Sequence, residues 1–289
     1  MSTRECFRRA REFVWNSEAR FTRFSERSEL AALNRASGGW AVVTHDLFEL
    51  VRTARDYVEQ TGGLFDPSIL DALERAGYDR SMDEIRTAGG SMPVAARERR
   101  ASDMRGVRFD AARHAIRLPR GLRLDLGGIA KGWIADRTAK LLAAGRSQVV
   151  RTAIPASNDA VALQTRSGRV AGETGCLPLT GFLPACAVSA GGDLALRGLP
   201  AGETYWEVAL EDPRDPDGSL ATLRVGPGAV ATSSVSSRRW QQGARTMHHL
   251  IDPRTQQPAQ TDWLSVTVVA PDIITAEVFA KALLIAGSH

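Results

Sequence analysis

The chain has few cysteines and few lysines, and it lacks a long apolar run. Its three cysteines, Cys6, Cys176 and Cys186, have neither the spacing of zinc ligands nor that of a redox motif, so a disulfide framework is not expected. No stretch approaches the roughly 18–20 apolar residues that cross a bilayer. The basic N-terminus is not followed by the apolar stretch of a secretory signal. These absences predict a cytoplasmic protein without an integral membrane segment.

Lysine is scarce among the basic residues. Of 37 lysines and arginines, only Lys131, Lys140 and Lys281 are lysines. In a chain that otherwise uses arginine, a lysine inside a motif is expected to be required there. The formal net charge is +4, and the arginines are spread along the chain without forming an aromatic-flanked stripe. This pattern argues against a nucleic-acid surface and is compatible with attraction of an anionic nucleotide.

Length and hydrophobic periodicity indicate one α+β domain over residues 1–289. The composition, with 43% hydrophobic and 24% charged residues, is that of an ordinary globular protein. Apolar spacing predicts helices over 4–34 (with Ser28 starting a new helix), 45–62, 129–144 and 275–286. Strands are predicted at 107–109, 114–118, 122–126, 185–189, 205–210, 220–225, 229–232, 248–251 and 264–270. Residues 80–106 are predicted to be a polar surface loop. Strand-rich segments flanked by separate helices favour an α+β architecture.

Four turns of small residues are candidate anion sites, because such turns allow a backbone to approach a ligand closely. They are Gly62-Gly63, Gly127-Gly128, Gly191-Gly192 and Thr232-Ser233-Ser234. The second lies where a predicted strand gives way to a helix, so its amides would face an anion. It matches neither G-x-G-x-x-G nor a Walker A loop. The residues alone therefore predict an anion or nucleotide site at a helix N-terminus, with ordinary tight turns as the alternative.

Seven segments, taken in order, make a more specific pattern. They are FTRFSERSELAALN (21–34), GGLFDPSI (62–69), LDLGGIAKGWIAD (124–136), VSAGGDL (188–194), VATSSVSSRRW (230–240), HHLIDPRTQQP (248–258) and VTVVAPDIITAEVFAKALLIAG (266–287). The series resembles the ApbE family of FAD:protein FMN transferases over roughly residues 20–287. The resemblance implies an ApbE-like (T-fold-like) fold of mixed, largely antiparallel sheets with flanking helices.

The resemblance also implies a reaction. Family members bind FAD with a divalent cation, Mg²⁺, on its pyrophosphate, and they transfer FMN to a threonine (or serine) of a target flavoprotein. AMP leaves, and the protein's contribution is mainly positioning and neutralisation of charge. The alternatives are an FAD pyrophosphatase that yields FMN and AMP, and a non-catalytic FAD-binding relative. A monomer or a homodimer is expected.

Eight positions correspond to flavin- or FAD-contacting positions of the family: Leu64, Phe65, Asp66, Asp125, Lys131, Thr232, Ser233 and Ile251. Four of the side-chain assignments have structural alternatives. Lys131 is otherwise a solvated helix charge, and Asp125 is otherwise a helix cap or turn acceptor. The two hydroxyl residues, Thr232 and Ser233, are otherwise parts of a turn.

The candidate catalytic residues are His249, Asp125 and Lys281. His249 titrates near neutrality and suits a general base that accepts the threonine proton; the alternative is a structural histidine. Its neighbour His248 would face the opposite way if both lay on one strand.

The metal site implied by the resemblance uses the backbone carbonyl of Gly128 and a carboxylate on the last helix. The family has an Asp and, four residues later, a Thr at positions where this chain has Glu277 and Lys281. Glutamate can bind Mg²⁺, whereas a charged lysine cannot. Either Lys281 replaces part of the cation's charge, or the two residues form an i,i+4 ion pair beside a lost metal site. The family's N-terminal strand and closing C-terminal strands are also expected to be missing.

Overall fold

The computed structural model describes residues 3–90, 103–144, 161–164 and 185–288, and the chain forms two compact units. The first unit comprises Met1–Ser17, Lys131–Thr232 and Thr267–Glu277. The second unit comprises Glu18–Ala130, Ser233–Val266 and Val278–His289. Each unit is thus assembled from three separate stretches of sequence. Whether the chain behaves as one domain over residues 1–289 stays a prediction.

The described residues form seven α-helices and fourteen strands. The helices are α1 (Thr3–Phe21), α2 (Glu29–Arg35), α3 (His45–Gln60), α4 (Leu70–Arg75), α5 (Met82–Thr87), α6 (Ala130–Ala144) and α7 (Ile273–Ala286). The strands are β1 (Trp40–Val42), β2 (Arg108–Asp110), β3 (Ala115–Arg117), β4 (Val161–Gln164), β5 (Cys186–Ala190), β6 (Asp193–Arg197), β7 (Trp206–Asp212), β8 (Asp215–Val225), β9 (Gly228–Ser234), β10 (Arg239–Gln242), β11 (Arg245–His248), β12 (Ile251–Asp252), β13 (Gln257–Pro258) and β14 (Ser265–Ala270).

The first unit is built on a sheet with the strand order β14-β9-β6-β5-β4. The pairs β4–β5, β5–β6 and β6–β9 are antiparallel, and β7 and β8 form a separate antiparallel ribbon. Trp206 and Val230 belong to a buried apolar cluster, and the indole N–H of Trp206 donates to the carbonyl of Gly198 at 2.8 Å. Helix α1 packs against α6 through Phe13 and Trp133, whose ring centroids are 6.2 Å apart.

The second unit has smaller sheets and a largely helical core. Its sheets are β1-β3-β2, β10-β11 and β12-β13, and the pairs within them are antiparallel. Trp240, Met247 and Ile251 pack with Tyr78 in a buried cluster. The indole N–H of Trp240 donates to the carbonyl of Ala76 at 2.8 Å. Burial of such large side chains is the main source of stability in each unit.

Local signals in the sequence place several elements correctly. Ser28 accepts the amide of Ala31 and starts α2, which divides the predicted helix over 4–34 into α1 and α2. Helix α3 begins at His45 as predicted. The strands predicted at 107–109 and 114–118 are confirmed within a residue of their bounds, since β2 and β3 pair as an antiparallel hairpin. The predicted α+β fold with largely antiparallel sheets is likewise confirmed.

The predicted strand over 122–126 is wrong. This segment is not part of a sheet, because Asn34 bonds to its backbone in place of a neighbouring strand. The side-chain amide of Asn34 donates to the carbonyl of Leu124 at 2.9 Å, and its Oδ1 accepts the amide of Leu124 at 2.8 Å. One side chain thus satisfies the backbone groups that a sheet would otherwise pair.

The predicted loop over 80–106 is partly wrong, because it contains α5. Ser81 and Glu84 form a reciprocal capping box at its N-terminus, and Met82 and Ile85 are buried. The sequence Ser-x-x-Glu before an apolar residue was a sufficient signal for this helix. Residues 91–102 of the predicted loop lie outside the described residues.

In the described parts of the chain, no helix is both long and apolar enough to cross a membrane.

Candidate active site

Asp125 organises the Gly127-Gly128 turn that precedes α6. Its backbone amide donates to the carbonyl of Pro67 at 2.7 Å, and its Oδ1 accepts the amide of Gly127 at 2.9 Å. Asp125 therefore acts as the turn acceptor that was one of its two interpretations. Its second carboxylate oxygen, Oδ2, makes a separate contact outside the turn.

Arg23 binds that second oxygen. Its Nε lies 2.7 Å from Asp125 Oδ2, and the arginine side chain is only 5% exposed. The guanidinium carbon lies 4.1 Å from the ring centroid of Phe24 and 4.5 Å from that of Tyr78. Its Nη2 has no hydrogen-bond partner among the described residues. Sequence reasoning missed Arg23, because nothing local indicates a partner 102 positions further along the chain.

Phe65 and Lys281 enclose Gly128. A Cβ atom added at Gly128 would lie 3.1 Å from Phe65 Cε2, and 3.4 and 3.5 Å from Lys281 Cε and Cδ. Phe65 is buried, so a side chain at position 128 would make a tight contact with its ring. Glycine is thus favoured here by close approach. Arg23, Asp125 and Lys281, grouped around this turn in the second unit, are called the cationic cluster below.

Asp66 is a buried cap. Its Oδ1 accepts the amide of Ser68 at 2.7 Å and the hydroxyl of Ser68 at 2.6 Å, at the start of the 3-10 turn Pro67–Ile69. Burial raises the pKa of Asp66, and the bonds from Ser68 partly oppose that rise. The backbone of Asp66 is extended, as predicted for a residue before proline. Leu64, two residues earlier, is half-buried.

The first unit holds a different group, called the acidic cluster below and made of Lys131, Asp193 and Glu277. Lys131 Nζ lies 2.9 Å from Asp193 Oδ2 and 3.8 Å from Glu277 Oε1. Both carboxylate side chains are almost fully buried, at 3% and 1% exposure. The ammonium of Lys131 is therefore paired with buried acids. The interpretation of Lys131 as a purely solvated helix charge is wrong.

Backbone amides complete this cluster. Glu277 Oε2 accepts the amide of Gly132 at 2.8 Å, which is one of the amides left over at the N-terminus of α6. Asp193 Oδ1 accepts the amide of Thr232 at 3.0 Å. Asp193 lies within the VSAGGDL segment, but the sequence predicted no role for it. An acidic residue directly after a glycine pair and a buried strand was the available signal.

Thr232 and Ser233 lie in β9, so their interpretation as parts of a turn is wrong. The hydroxyl of Thr232 is 2.9 Å from that of Thr267. Thr232 is exposed, whereas Ser233 is buried, as expected for successive residues on a strand. A contact of either residue with a ligand stays a prediction.

The predicted strand over 248–251 is divided, which separates the two histidines. His248 is the last residue of β11, and His249 lies in the bend before β12, so the expected alternation along one strand is wrong for this pair. His248 Nε2 is 3.1 Å from the carbonyl of Ala259, and burial lowers the pKa of His248. His248 is thus a structural histidine. His249 is half-buried, and its role as a base stays a prediction.

Ile251 contributes its side chain to the apolar core of the second unit. It is 1% exposed and belongs to the cluster around Trp240. A contact of Ile251 with a nucleotide, which stays a prediction, would therefore involve its backbone.

The residues predicted to hold Mg²⁺, Gly128 and Glu277, do not offer the oxygen-rich octahedral environment that this ion prefers. Among the described residues, no group of three His, Cys, Asp or Glu side chains is arranged to hold a metal. Each predicted ligand instead has a lysine side chain beside it in its own unit. Lys131 lies near Glu277, and the Lys281 methylenes lie near Gly128. The residues present therefore do not fit the ion.

An α+β fold with a cation-flanked glycine turn opening a helix is suited to a nucleotide or another anionic phosphate ligand. The chain belongs to the ApbE family, whose model matches residues 5–170 and 183–289.

Curated relatives agree with this assignment. The chain is 30% identical over 279 residues to the FAD:protein FMN transferase of Treponema pallidum (strain Nichols), covering 90% of this chain and 65% of that protein. It is 26% identical over 264 residues to the FAD:protein FMN transferase of Klebsiella pneumoniae (strain 342), covering 89% and 67%. The chain thus spans about two thirds of the length of these relatives.

Solved structures agree with the fold. The ApbE protein of Thermotoga maritima matches with a TM-score of 0.73 and 26% identity, covering all of this chain and 81% of that one. The flavin transferase ApbE of Vibrio cholerae matches with a TM-score of 0.70 and 19% identity, covering all of this chain and 80% of that one. The second likeness concerns the fold alone.

Proposed function

We propose that this protein is an FAD:protein FMN transferase that attaches FMN, through its phosphate, to a threonine or serine of a target flavoprotein. The observation that carries the proposal is the cationic cluster around the Gly127-Gly128 turn, found in a member of the ApbE family. Two cationic side chains beside helix-opening amides suit the pyrophosphate of FAD. The curated relatives act, by their names, in this reaction.

The proposed reaction is a displacement at phosphorus. The acceptor hydroxyl oxygen forms a bond to the phosphorus on the FMN side of the pyrophosphate, while the bond from that phosphorus to the bridging oxygen breaks. The bridging oxygen leaves with AMP, and the hydroxyl proton passes to a base. Such a reaction depends mostly on positioning the reactants and neutralising developing charge.

The residue roles are proposals, supported by the family resemblance and, for Lys131 and Asp125, by the contacts within each unit. We assign His249 as the base that takes the hydroxyl proton, and Lys281 as a cation facing the phosphates. Lys131 is a second phosphate-binding cation, oriented by Asp193. Asp125 acts by fixing the glycine turn and Arg23.

The remaining predicted contacts concern the flavin end of FAD. We assign these to Leu64, Phe65, Asp66, Thr232, Ser233 and Ile251, in the case of Asp66 and Ile251 through the backbone. Assistance by Mg²⁺ remains a prediction from the family resemblance. No step of the proposed reaction passes through this ion, since the described residues do not fit it.

The proposal is tested by mixing the protein with FAD and a flavin-free flavoprotein subunit that carries an FMN-accepting threonine. AMP is followed by chromatography, and the acceptor is followed by intact mass. We expect AMP release together with a mass increase of the acceptor equal to one FMN ester. The same acceptor with that threonine replaced by valine is the control and should gain no mass. AMP and free FMN without any gain by the acceptor would instead identify an FAD pyrophosphatase. Intact FAD under every condition would contradict both reactions.

A further inference from the structure

The position of Lys281 is fixed by the packing of α7 in the second unit. Its neighbours Ala280 and Ala282 are buried, and Phe279 contacts Tyr57 with ring centroids 6.5 Å apart. These contacts set the rotation of the helix, and the Lys281 side chain then lies beside Gly128. Its Cε and Cδ are 3.4 and 3.5 Å from the position of a Cβ at Gly128, slightly farther than the 3.1 Å of Phe65 Cε2. The lysine side chain thus lines the glycine turn.

The surroundings of Gly128 favour an anion over a cation. Arg23 is buried beside Asp125, and its Nη2 has no partner among the described residues. The single carboxylate of the cationic cluster already binds Arg23 and the amide of Gly127. The buried Arg23 with its unpartnered Nη2, and the Lys281 side chain beside Gly128, place positive charge at this turn, which disfavours a divalent cation and favours a phosphate.

The other predicted metal ligand is also engaged. Glu277 accepts the amide of Gly132 with one oxygen, and its other oxygen lies 3.8 Å from Lys131 Nζ. A metal ion at Glu277 would have to compete with the ammonium of Lys131. One turn later on α7, Lys281 occupies the position at which the family has a threonine that would ligate the metal through its neutral hydroxyl oxygen.

We propose that the Lys281 ammonium supplies the positive charge at the FAD pyrophosphate that a divalent cation would otherwise supply, so that this chain binds FAD without a metal. The inference rests on the proposed function for the identity of the ligand. The charge of the Lys281 ammonium belongs to the protein itself and does not depend on the metal concentration. Binding of FAD is therefore expected to be insensitive to chelators and sensitive to the residue at position 281.

The experiment measures FAD affinity by flavin fluorescence in EDTA and in Mn²⁺, and measures Mn²⁺ binding directly by electron paramagnetic resonance. The wild type should bind FAD equally in both conditions and should show no Mn²⁺ binding below millimolar concentration, with or without FAD. Lys281→Thr should bind FAD at least tenfold more weakly in EDTA. It should recover most of that loss in Mn²⁺, and it should bind the ion when FAD is present.

Two further variants serve as controls. Lys281→Arg keeps the charge and should stay independent of metal. Lys140→Thr removes the third lysine, which pairs with Asp136 on the surface of α6, and it should resemble the wild type in every measurement. Recovery of FAD binding by Mn²⁺ in Lys281→Thr and not in Lys140→Thr would assign the effect to position 281.

The outcomes separate this inference from the proposed function. If the wild type requires Mn²⁺ to bind FAD, or binds Mn²⁺ as well as Lys281→Thr does, the inference is overturned and the transferase proposal stands. If FAD binds in EDTA with the expected dependence on Lys281 but is never cleaved, the inference stands and the transferase proposal fails. Absence of FAD binding in every condition contradicts both.

Discussion

The acidic cluster and the cationic cluster contain the same kinds of residue in opposite proportions. In the first unit, two buried carboxylates surround one lysine. In the second unit, an arginine and a lysine accompany one carboxylate at the glycine turn. In the first arrangement, Asp193 and Glu277 each bind both Lys131 and a backbone amide. In the second, Asp125 binds Arg23 and the amide of Gly127.

This difference shows that burial and the ratio of basic to acidic side chains in a cluster decide what a charged residue does. A buried acid that binds an amide and an ammonium mainly holds structure together. The buried Arg23, whose Nη2 has no hydrogen-bond partner among the described residues, is available to an anionic ligand. Variants of the two buried acids, Asp193 and Glu277, should therefore act chiefly on stability, and variants of the second cluster chiefly on FAD. Mutations can test that division, beginning with the largest expected effect.

Replacement of His249 by alanine should have the largest effect on rate. Loss of a general base typically slows a reaction by about 10²–10⁴-fold, so FMN transfer should slow by that factor while FAD affinity changes little. Stopped-time assays of AMP release and flavin fluorescence titrations measure the two quantities. His248→Ala is the matched control and should lower stability by about 1 kcal/mol, through loss of the bond to Ala259, without a comparable loss of rate. Equal rates in the two variants would remove His249 as the base.

Asp193→Ala should be the most destabilising change in the acidic cluster. It leaves Lys131 without its 2.9 Å partner and the amide of Thr232 without its acceptor. Removal of one member of a buried ion pair costs about 3–5 kcal/mol, to be measured by urea unfolding. Asp193→Asn can still accept from Thr232 and should lose less. A cost below about 1 kcal/mol for the alanine variant would mean that the cluster is not structural.

Asp125→Ala should lower both FAD affinity and stability. It removes the ion pair with Arg23 and the acceptor for Gly127, and hydrogen bonds to charged groups contribute about 1.5–3 kcal/mol each. We expect FAD affinity to fall by about tenfold, which corresponds to about 1.4 kcal/mol. Asp125→Asn keeps an acceptor for Gly127 and should be milder in unfolding experiments. Wild-type affinity in the alanine variant would remove Asp125 from the binding site.

Asp66→Asn should have the smallest effect, visible in the pH dependence of stability. Burial raises the folded-state pKa of Asp66 above its usual value. The folded state therefore binds the Asp66 proton more tightly than the unfolded state does. The resulting contribution to the free energy of unfolding is fully present below the unfolded-state pKa and is lost as pH rises through the folded-state pKa. The asparagine variant keeps the acceptor for Ser68 and lacks this loss.

Unfolding free energies of Asp66→Asn and the wild type should consequently diverge as pH rises from below 3.9, the usual aspartate pKa, with the variant gaining relative stability. Urea denaturation at several pH values measures this difference. A difference that is constant with pH would show that Asp66 is not the titrating group.

Local signals predicted much of the fold correctly. Caps of the Ser28 type depend on residues three apart, and hairpins such as β2–β3 depend on a short turn. The missed helix α5 also had a local signal, in Ser81 and Glu84. The wrong strand over 122–126 had none, because its hydrogen-bond partner, Asn34, lies 90 residues away.

The candidate site divides in the same way. The glycine turn and Lys131 were predicted because motif and residue type are visible in the sequence. Arg23 and Asp193 were not assigned a role, because the role of a charged side chain depends on its partner and on its burial. The sequence next to a residue shows neither its distant partner nor its burial.

The sequence by itself therefore determined the fold class, the resemblance to the ApbE family and the positions of the glycine turns, since these depend on residue order and local backbone preference. The tertiary structure alone decided which groups surround each charge. Lys131 is held by buried acids, whereas Lys281 lies along the glycine turn. The physical reason is that electrostatic energies depend on distance and on exposure to water, and folding sets both for residues that are far apart in the chain.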